Sequence, residues 1–220
     1  MVSNLRKSGL LIIGKTNTPE FGVGGQTFNE VFGTTSNPFN FKKTAGGSSG
    51  GAAAAVQSKL IPFADGSDMM GSLRTPSSFC ETFSIRPTPG LVPSNSTLSY
   101  KMPRISTNGV IARHPMDLAL MLDGCIGKKA CFEKLIRNKF SLRKVTACIP
   151  ENYLENILVD NKVTKQFYQN IETFKKLGVK IKKINFDFEP NLFWESWIDL
   201  RSKIISLNPV SYTHLTLPTT

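Results

Sequence analysis

A chain of 220 residues that is 40% hydrophobic and carries 15 phenylalanines has enough apolar matter for a substantial core, which excludes an intrinsically disordered protein. The net charge is +11, but the basic residues of "GKKACFEKLIRNKFSLRKV" and "KKLGVKIKKINF" punctuate apolar ones, as on solvated helix and strand faces, so the charge alone predicts no nucleic-acid partner. No apolar run reaches the roughly 18 residues of a membrane span, and "MVSNLRKSGLLIIGK" lacks the long apolar region of a signal peptide, so a cytoplasmic protein is expected. Cys80, Cys125, Cys131 and Cys148 are spaced for neither a metal site nor a disulfide framework, and their mostly apolar surroundings predict reduced core thiols.

In chain order, "GLLIIG" reads as a short buried strand and "KTNTPEFG" as the polar turn that leaves it. Residues 22–43, rich in Gly, Asn, Thr and Phe without a sustained period, read as a covering loop. "SGGAAAAVQSKL" predicts a small-residue helix starting just after two serines. "LIPFADGSD" and "TFSIRPTPGLVP" predict strands, the second with a proline-rich exit, and "HPMDLALMLDGCIG" a helix with His114 and Pro115 at its start. "LRKVTACIP" predicts another strand. In "NKVTKQFYQNIETFKKLGVKIKKINF", Val163, Phe167, Ile171 and Phe174 line one helix face until Gly178 interrupts, and a strand follows. Helices alternating with strands predict an α/β protein with a mixed, twisted central sheet flanked by helices. The uncharged end "VSYTHLTLPTT" would alternate acceptably as an edge strand, yet it resembles a translated sequencing adapter, so residues 210–220 are read as a non-native tail.

The chemistry concentrates in "AGGSSGGAAAAVQSKLIPFADGSDMMGSLRTP", where glycines wrap serines at two separate points. A nucleotide phosphate loop needs Lys followed by Ser or Thr after its glycines, and that is missing. A dinucleotide fingerprint needs G-x-G-x-x-G straight after a strand with an acidic residue about twenty positions on, and after "NFKKTA" the required spacing fails. The nucleophile elbow G-x-S-x-G is matched around both Ser48 and Ser49, but its triad requires a histidine. The sequence offers His114, read as a capping or surface residue at a helix start, and His214 in the tail. The remaining arrangement is a serine nucleophile whose proton passes through a second serine to a lysine made neutral by burial. It uses both serine turns, and the backbone N–H groups of "GSDMMGS" would cradle a tetrahedral oxyanion.

"GKTNTPEFG", "FGTTSNPFN", "TAGGSSGGAAAA", "GSDMMGSLRTP" and "GVIARHPMDLALMLD" together resemble the amidase signature family, over about residues 5 to 125. The resemblance implies that family's α/β fold and hydrolysis of carboxylic amides, sometimes esters, without metal or cofactor. It implies Ser72 as nucleophile, Ser48 as bridging serine after a cis Gly47–Ser48 bond, and the N–H groups of Met69, Met70, Gly71 and Ser72 as oxyanion hole. Ser49, Asp68 and Arg74 would support them, the last two as a buried ion pair. Many members carry glycine where this chain has Met70, but backbone donors are indifferent to that side chain.

The family's catalytic lysine lies upstream of the bridging serine by more residues than this chain has there, so it is expected to be absent. Lys15, Lys42, Lys43 and Lys59 read as solvated or structural. Residues 1–209 are therefore expected to be part of an amidase signature domain, incomplete at both ends and inactive alone. The expected partner is a small-molecule amide or ester, with no nucleic acid and no membrane span. An amidotransferase subunit-like role, with ammonia delivered to an activated carboxyl, and a non-catalytic interaction domain are the alternatives.

Overall fold

The computed structural model describes residues 1–93, 105–128, 131–138, 141–150, 158–185 and 190–206. The tail at 210–220, with His214, lies outside the described residues. The chain divides into two compact units, Met1–Asn138 and Lys139–Lys203.

In the first unit, α1 (Val2–Lys7) is followed by two small antiparallel hairpins, β1 (Phe28–Asn29) with β2 (Gly33–Thr34) and β3 (Ser36–Asn37) with β4 (Asn40–Thr44). Then come α2 (Gly50–Gln57), β5 (Phe63–Asp68), α3 (Arg74–Phe79), β6 (Phe83–Ile85), β7 (Thr107–Ala112), α4 (Pro115–Ile126) and α5 (Phe132–Arg137). The sheet order is β5-β7-β6, antiparallel throughout, with β7 in the middle.

The period of two along β7 organises this unit, because successive side chains point to opposite faces. Ile111 enters a core with Ala52, Ala53 and Val56 of α2, Ala64 of β5 and Leu73. Val110 enters a second core with Leu5 of α1 and Met121, Leu122 and Cys125 of α4. Helices thus cover both faces of the sheet. The four-alanine run of α2 lets that helix lie close to the strands, with Ala53 and Val56 fully buried. Pro115 at the first position of α4 follows His114, whose side chain is exposed and makes no capping bond.

In the second unit, β8 (Thr146–Pro150) pairs in parallel with β9 (Lys180–Ile184). Between them in sequence lies α6 (Asn161–Lys176), and α7 (Pro190–Ser206) follows. Asp160 caps α6 by accepting the N–H of Lys162 at 2.7 Å. Antiparallel and parallel pairing flanked by helices give the chain its α/β character.

Three expectations need correction. "GLLIIG" forms no strand: Leu11 and Ile13 are 85% and 72% exposed, and no described strand pairs with them. The covering loop at 22–43 contains the two hairpins, whose reversals are built by asparagine side chains. Asn29 Oδ1 accepts the N–H groups of Val31 and Phe32, and Asn37 Oδ1 accepts that of Phe39. Cys80 and Cys125 are buried, which pushes their thiols up to about 11 and about 12, but Cys131 and Cys148 are exposed rather than core. On α6 the helix is as predicted, although its apolar residues Val163, Phe167 and Phe174 remain exposed.

Candidate active site

The first serine turn, residues 46–49, leads from β4 into the N-terminus of α2. Gly46 has φ +76° and the Gly47–Ser48 peptide is cis. Ser48 and Ser49 are buried, at 8% and 6% exposure. The Thr27 hydroxyl, itself 1% exposed, donates to the Gly46 carbonyl at 2.8 Å and accepts the Gly50 N–H at 3.1 Å.

The second turn, residues 69–73, leads from β5 into α3 and winds round one carboxylate. Asp68, at the end of β5, is fully buried. Its Oδ1 accepts the Gly71 N–H at 2.8 Å, and its Oδ2 accepts the Leu73 N–H at 3.2 Å and the Arg74 N–H at 3.4 Å. The Arg74 guanidinium grips both oxygens at 3.0 Å. Burial pushes the Asp68 carboxyl up, but the bonds from Arg74 and from the Gly71 and Leu73 N–H groups outweigh it and leave the carboxyl below its ordinary value. Asp68 in turn raises the pKa of Arg74. Ser72 is half-buried at the crest of this turn.

Ser49 joins the two turns. Its N–H donates to the Ser72 carbonyl at 3.2 Å, and its hydroxyl donates to the Ser67 carbonyl at 3.4 Å. The sheet makes room for this junction at one paired position, where Gly66 of β5 faces Gly109 of β7. A Cβ on Gly66 would stand 2.6 Å from Ser49 Oγ and 2.8 Å from Leu73 Cδ2. A Cβ on Gly109 would meet Leu73 Cδ1 at 2.6 Å and collide with the Ile85 carbonyl. The glycine pair is therefore the floor on which Ser49 and Leu73 rest.

The structure places Ser48, Ser49, Asp68 and Ser72 in these two linked turns, alters two expected roles and adds a residue that was not expected. The Gly71 N–H is directed at Asp68 Oδ1, so Gly71 is a strut of the turn and not a free oxyanion donor. Met69, Met70 and Ser72 are left as the candidate donors. The Asp68–Arg74 pair is buried on one side only, because the Arg74 side chain is 60% exposed. A second arginine, Arg86, was not expected at Asp68, yet its Nε stands 3.4 Å from Oδ1 and its side chain is 28% exposed. Sequence reasoning also missed Thr27. It lies in a stretch without period, and only the three-dimensional return of residues 46–50 onto it gives it a part in the site. Every described lysine is exposed, Lys15, Lys42, Lys43 and Lys59 among them.

Comparison with known proteins adds the family to this geometry. The family model described as Amidase matches residues 1–198. A glutamyl-tRNA(Gln) amidotransferase subunit of Legionella pneumophila (strain Paris) is 32% identical over 203 residues, covering 88% of this chain and 41% of the relative. The corresponding amidotransferase subunit from Protochlamydia amoebophila (strain UWE25) is 36% identical over 195 residues, covering 84% and 39%. A crystal structure described as an amidase superposes with a TM-score of 0.80 at 24% identity, covering 99% of this chain and 48% of that one, a likeness of fold. The chain thus spans about two-fifths of the length of the curated relatives it matches.

These relatives correct the expectation of a free small-molecule amide or ester partner with no nucleic acid. They are described by action on a glutamyl-tRNA. No helix among the described residues is long and apolar enough to cross a membrane.

Proposed function

The chain belongs to the Amidase family, and from that premise we propose that its protein performs the serine-based amide chemistry of a glutamyl-tRNA(Gln) amidotransferase. In this reading Ser72 Oγ attacks the carbonyl carbon of a carboxamide donor. A C–O bond forms, the C–N bond breaks, and the nitrogen leaves as ammonia while the acyl group stays on Ser72. Ser48 takes the proton from Ser72 and passes it to a base, then returns one to the leaving nitrogen. Water releases the acyl group, and the ammonia is consumed at the activated carboxyl of a glutamyl-tRNA. A lysine is the base that the motifs imply. The N–H groups of Met69, Met70 and Ser72 face the developing oxyanion, and each such donor contributes about 3–4 kcal/mol to the transition state in comparable sites.

The observation that carries the chemistry is the 3.2 Å bond from the Ser49 N–H to the Ser72 carbonyl, which ties the residue after Ser48 to the proposed nucleophile. The transfer RNA part of the reading rests on the curated relatives. The test is isotopic. The protein, expressed from its complete reading frame and purified with the proteins that hold to it, is given a carboxamide donor labelled with nitrogen-15 and glutamyl-tRNA. The expected result is label in the aminoacyl group of the tRNA. Donor hydrolysis at full rate with no label transferred would overturn the reading.

A further inference from the structure

Resting on the proposed relay through Ser48, we infer that Thr27 is a positioning residue for Ser48: its hydroxyl holds the turn on both sides of that serine. The Thr27 hydroxyl is a clamp with three contacts. It donates to the Gly46 carbonyl at 2.8 Å, has the Ser48 carbonyl in reach at 3.3 Å, and accepts the Gly50 N–H at 3.1 Å. These groups belong to residues two before Ser48, to Ser48 itself and to residues two after it. The Ser48 carbonyl lies in the peptide that follows Ser48, and the Gly46 carbonyl and Gly50 N–H lie in the peptides next beyond the two that flank it. Fixing them holds the turn on either side of Ser48, and with it the direction in which its side chain leaves the backbone.

The clamp is itself anchored. The Thr27 carbonyl accepts the Thr35 N–H at 2.9 Å, which ties Thr27 to the first hairpin. The preceding residue Gln26 accepts from the Thr44 hydroxyl through its Oε1, and Thr44 Oγ1 accepts the Gly46 N–H at 3.0 Å. The turn is also pressed against this wall without space to spare. A Cβ on Gly47 would stand 2.8 Å from the backbone N and C of Gln26, and one on Gly50 would collide with the Thr27 hydroxyl. The glycines on either side of the serines therefore admit the Gln26–Thr27 backbone and hydroxyl, while Thr27 supplies the polar partners that the admitted peptide groups require. A hydroxyl is needed for this because it donates and accepts at once. Valine has the shape and can do neither.

The test compares kcat and KM for carboxamide cleavage in Thr27→Val, Thr27→Ser, Ser48→Ala and the double variant Thr27→Val/Ser48→Ala, all expressed from the complete reading frame. Misplacing a group that transfers a proton costs about 100-fold, so Thr27→Val is expected to lose about that much in kcat with little change in KM. Thr27→Ser is expected to recover most of it. In the Ser48→Ala background, where no relay is left to misplace, Thr27→Val is expected to cost nothing further in kcat. Should Thr27→Val not fold, Thr27→Ala against Thr27→Ser gives the same comparison with residues smaller than the native one. If Ser48→Ala cleaves as fast as the wild type, the relay itself is wrong and this inference falls with it. If Ser48→Ala is slow but Thr27→Val keeps the wild-type kcat, or multiplies the Ser48→Ala defect by its full single-variant factor, the inference about Thr27 alone is overturned.

Discussion

Asp68 organises the second serine turn more than any other single residue. One fully buried carboxylate receives three backbone N–H groups and the fork of Arg74, with Arg86 beside it. Because its pKa is lowered on folding, its contribution to stability is present above the ordinary value of 3.8 and is lost as the pH falls through the lower folded value. Asp68→Asn keeps the shape and removes the charge. It is expected to cost at least about 1–3 kcal/mol at neutral pH, because Arg74 left behind is already 60% exposed but Arg86, only 28% exposed, loses its charge partner too. Thermal unfolding of wild type and variant across pH checks the sign. The gap in Tm should be full above 3.8 and close as the pH falls below it. A gap that persists unchanged into acid would show that the cost of the asparagine does not come from the lost charge.

At the scale of the element, β5, the Ser72 turn and α3 form one device, seated on the Gly66–Gly109 pair. Gly66→Ala would bring a methyl to 2.6 Å from Ser49 Oγ and 2.8 Å from Leu73 Cδ2. Leu73 is fully buried and Ser49 bonds to the Ser72 carbonyl, so neither neighbour can yield without moving the site. The expected result is a loss of about 1–3 kcal/mol, read as a lower urea midpoint, together with a fall in kcat larger than the loss of folded protein explains. A variant of unchanged stability and activity would mean that the two turns are not held by this floor.

The elements also show what a sequence can and cannot reveal. Helix α2 and strand β5 are legible because a small-residue run after glycines and an apolar run ending in a turn signal are local properties. Residues 10–13 are misread because an apolar run becomes a strand only beside another strand, and no described strand lies beside it. The hairpins at 28–44 are misread because their reversals depend on the Asn29 and Asn37 side chains and not on hydrophobic period. Within the site, the two serine turns are legible from their glycine-rich context, and the parts of Ser48, Ser49, Asp68 and Ser72 in them from the family resemblance of their motifs. Thr27 and Arg86 are not, because each joins the site only across the fold, Thr27 from a stretch without period and Arg86 from a predicted strand whose pattern says nothing of Asp68.

At the scale of the molecule, residues 1–198 match the Amidase family and the first unit holds both serine turns. Helices on both faces of a three-stranded sheet bring loops far apart in sequence to one place. The account's central claim is that Ser72, at the place where these loops meet, carries the acyl group during turnover. Rapid acid quench of the protein with its carboxamide donor, followed by mass spectrometry of the intact chain and its peptides, tests that claim. The account predicts an acyl adduct on the peptide containing Ser72, lost in Ser72→Ala together with about a million-fold in kcat. An adduct on any other residue, or undiminished turnover by Ser72→Ala, would contradict it.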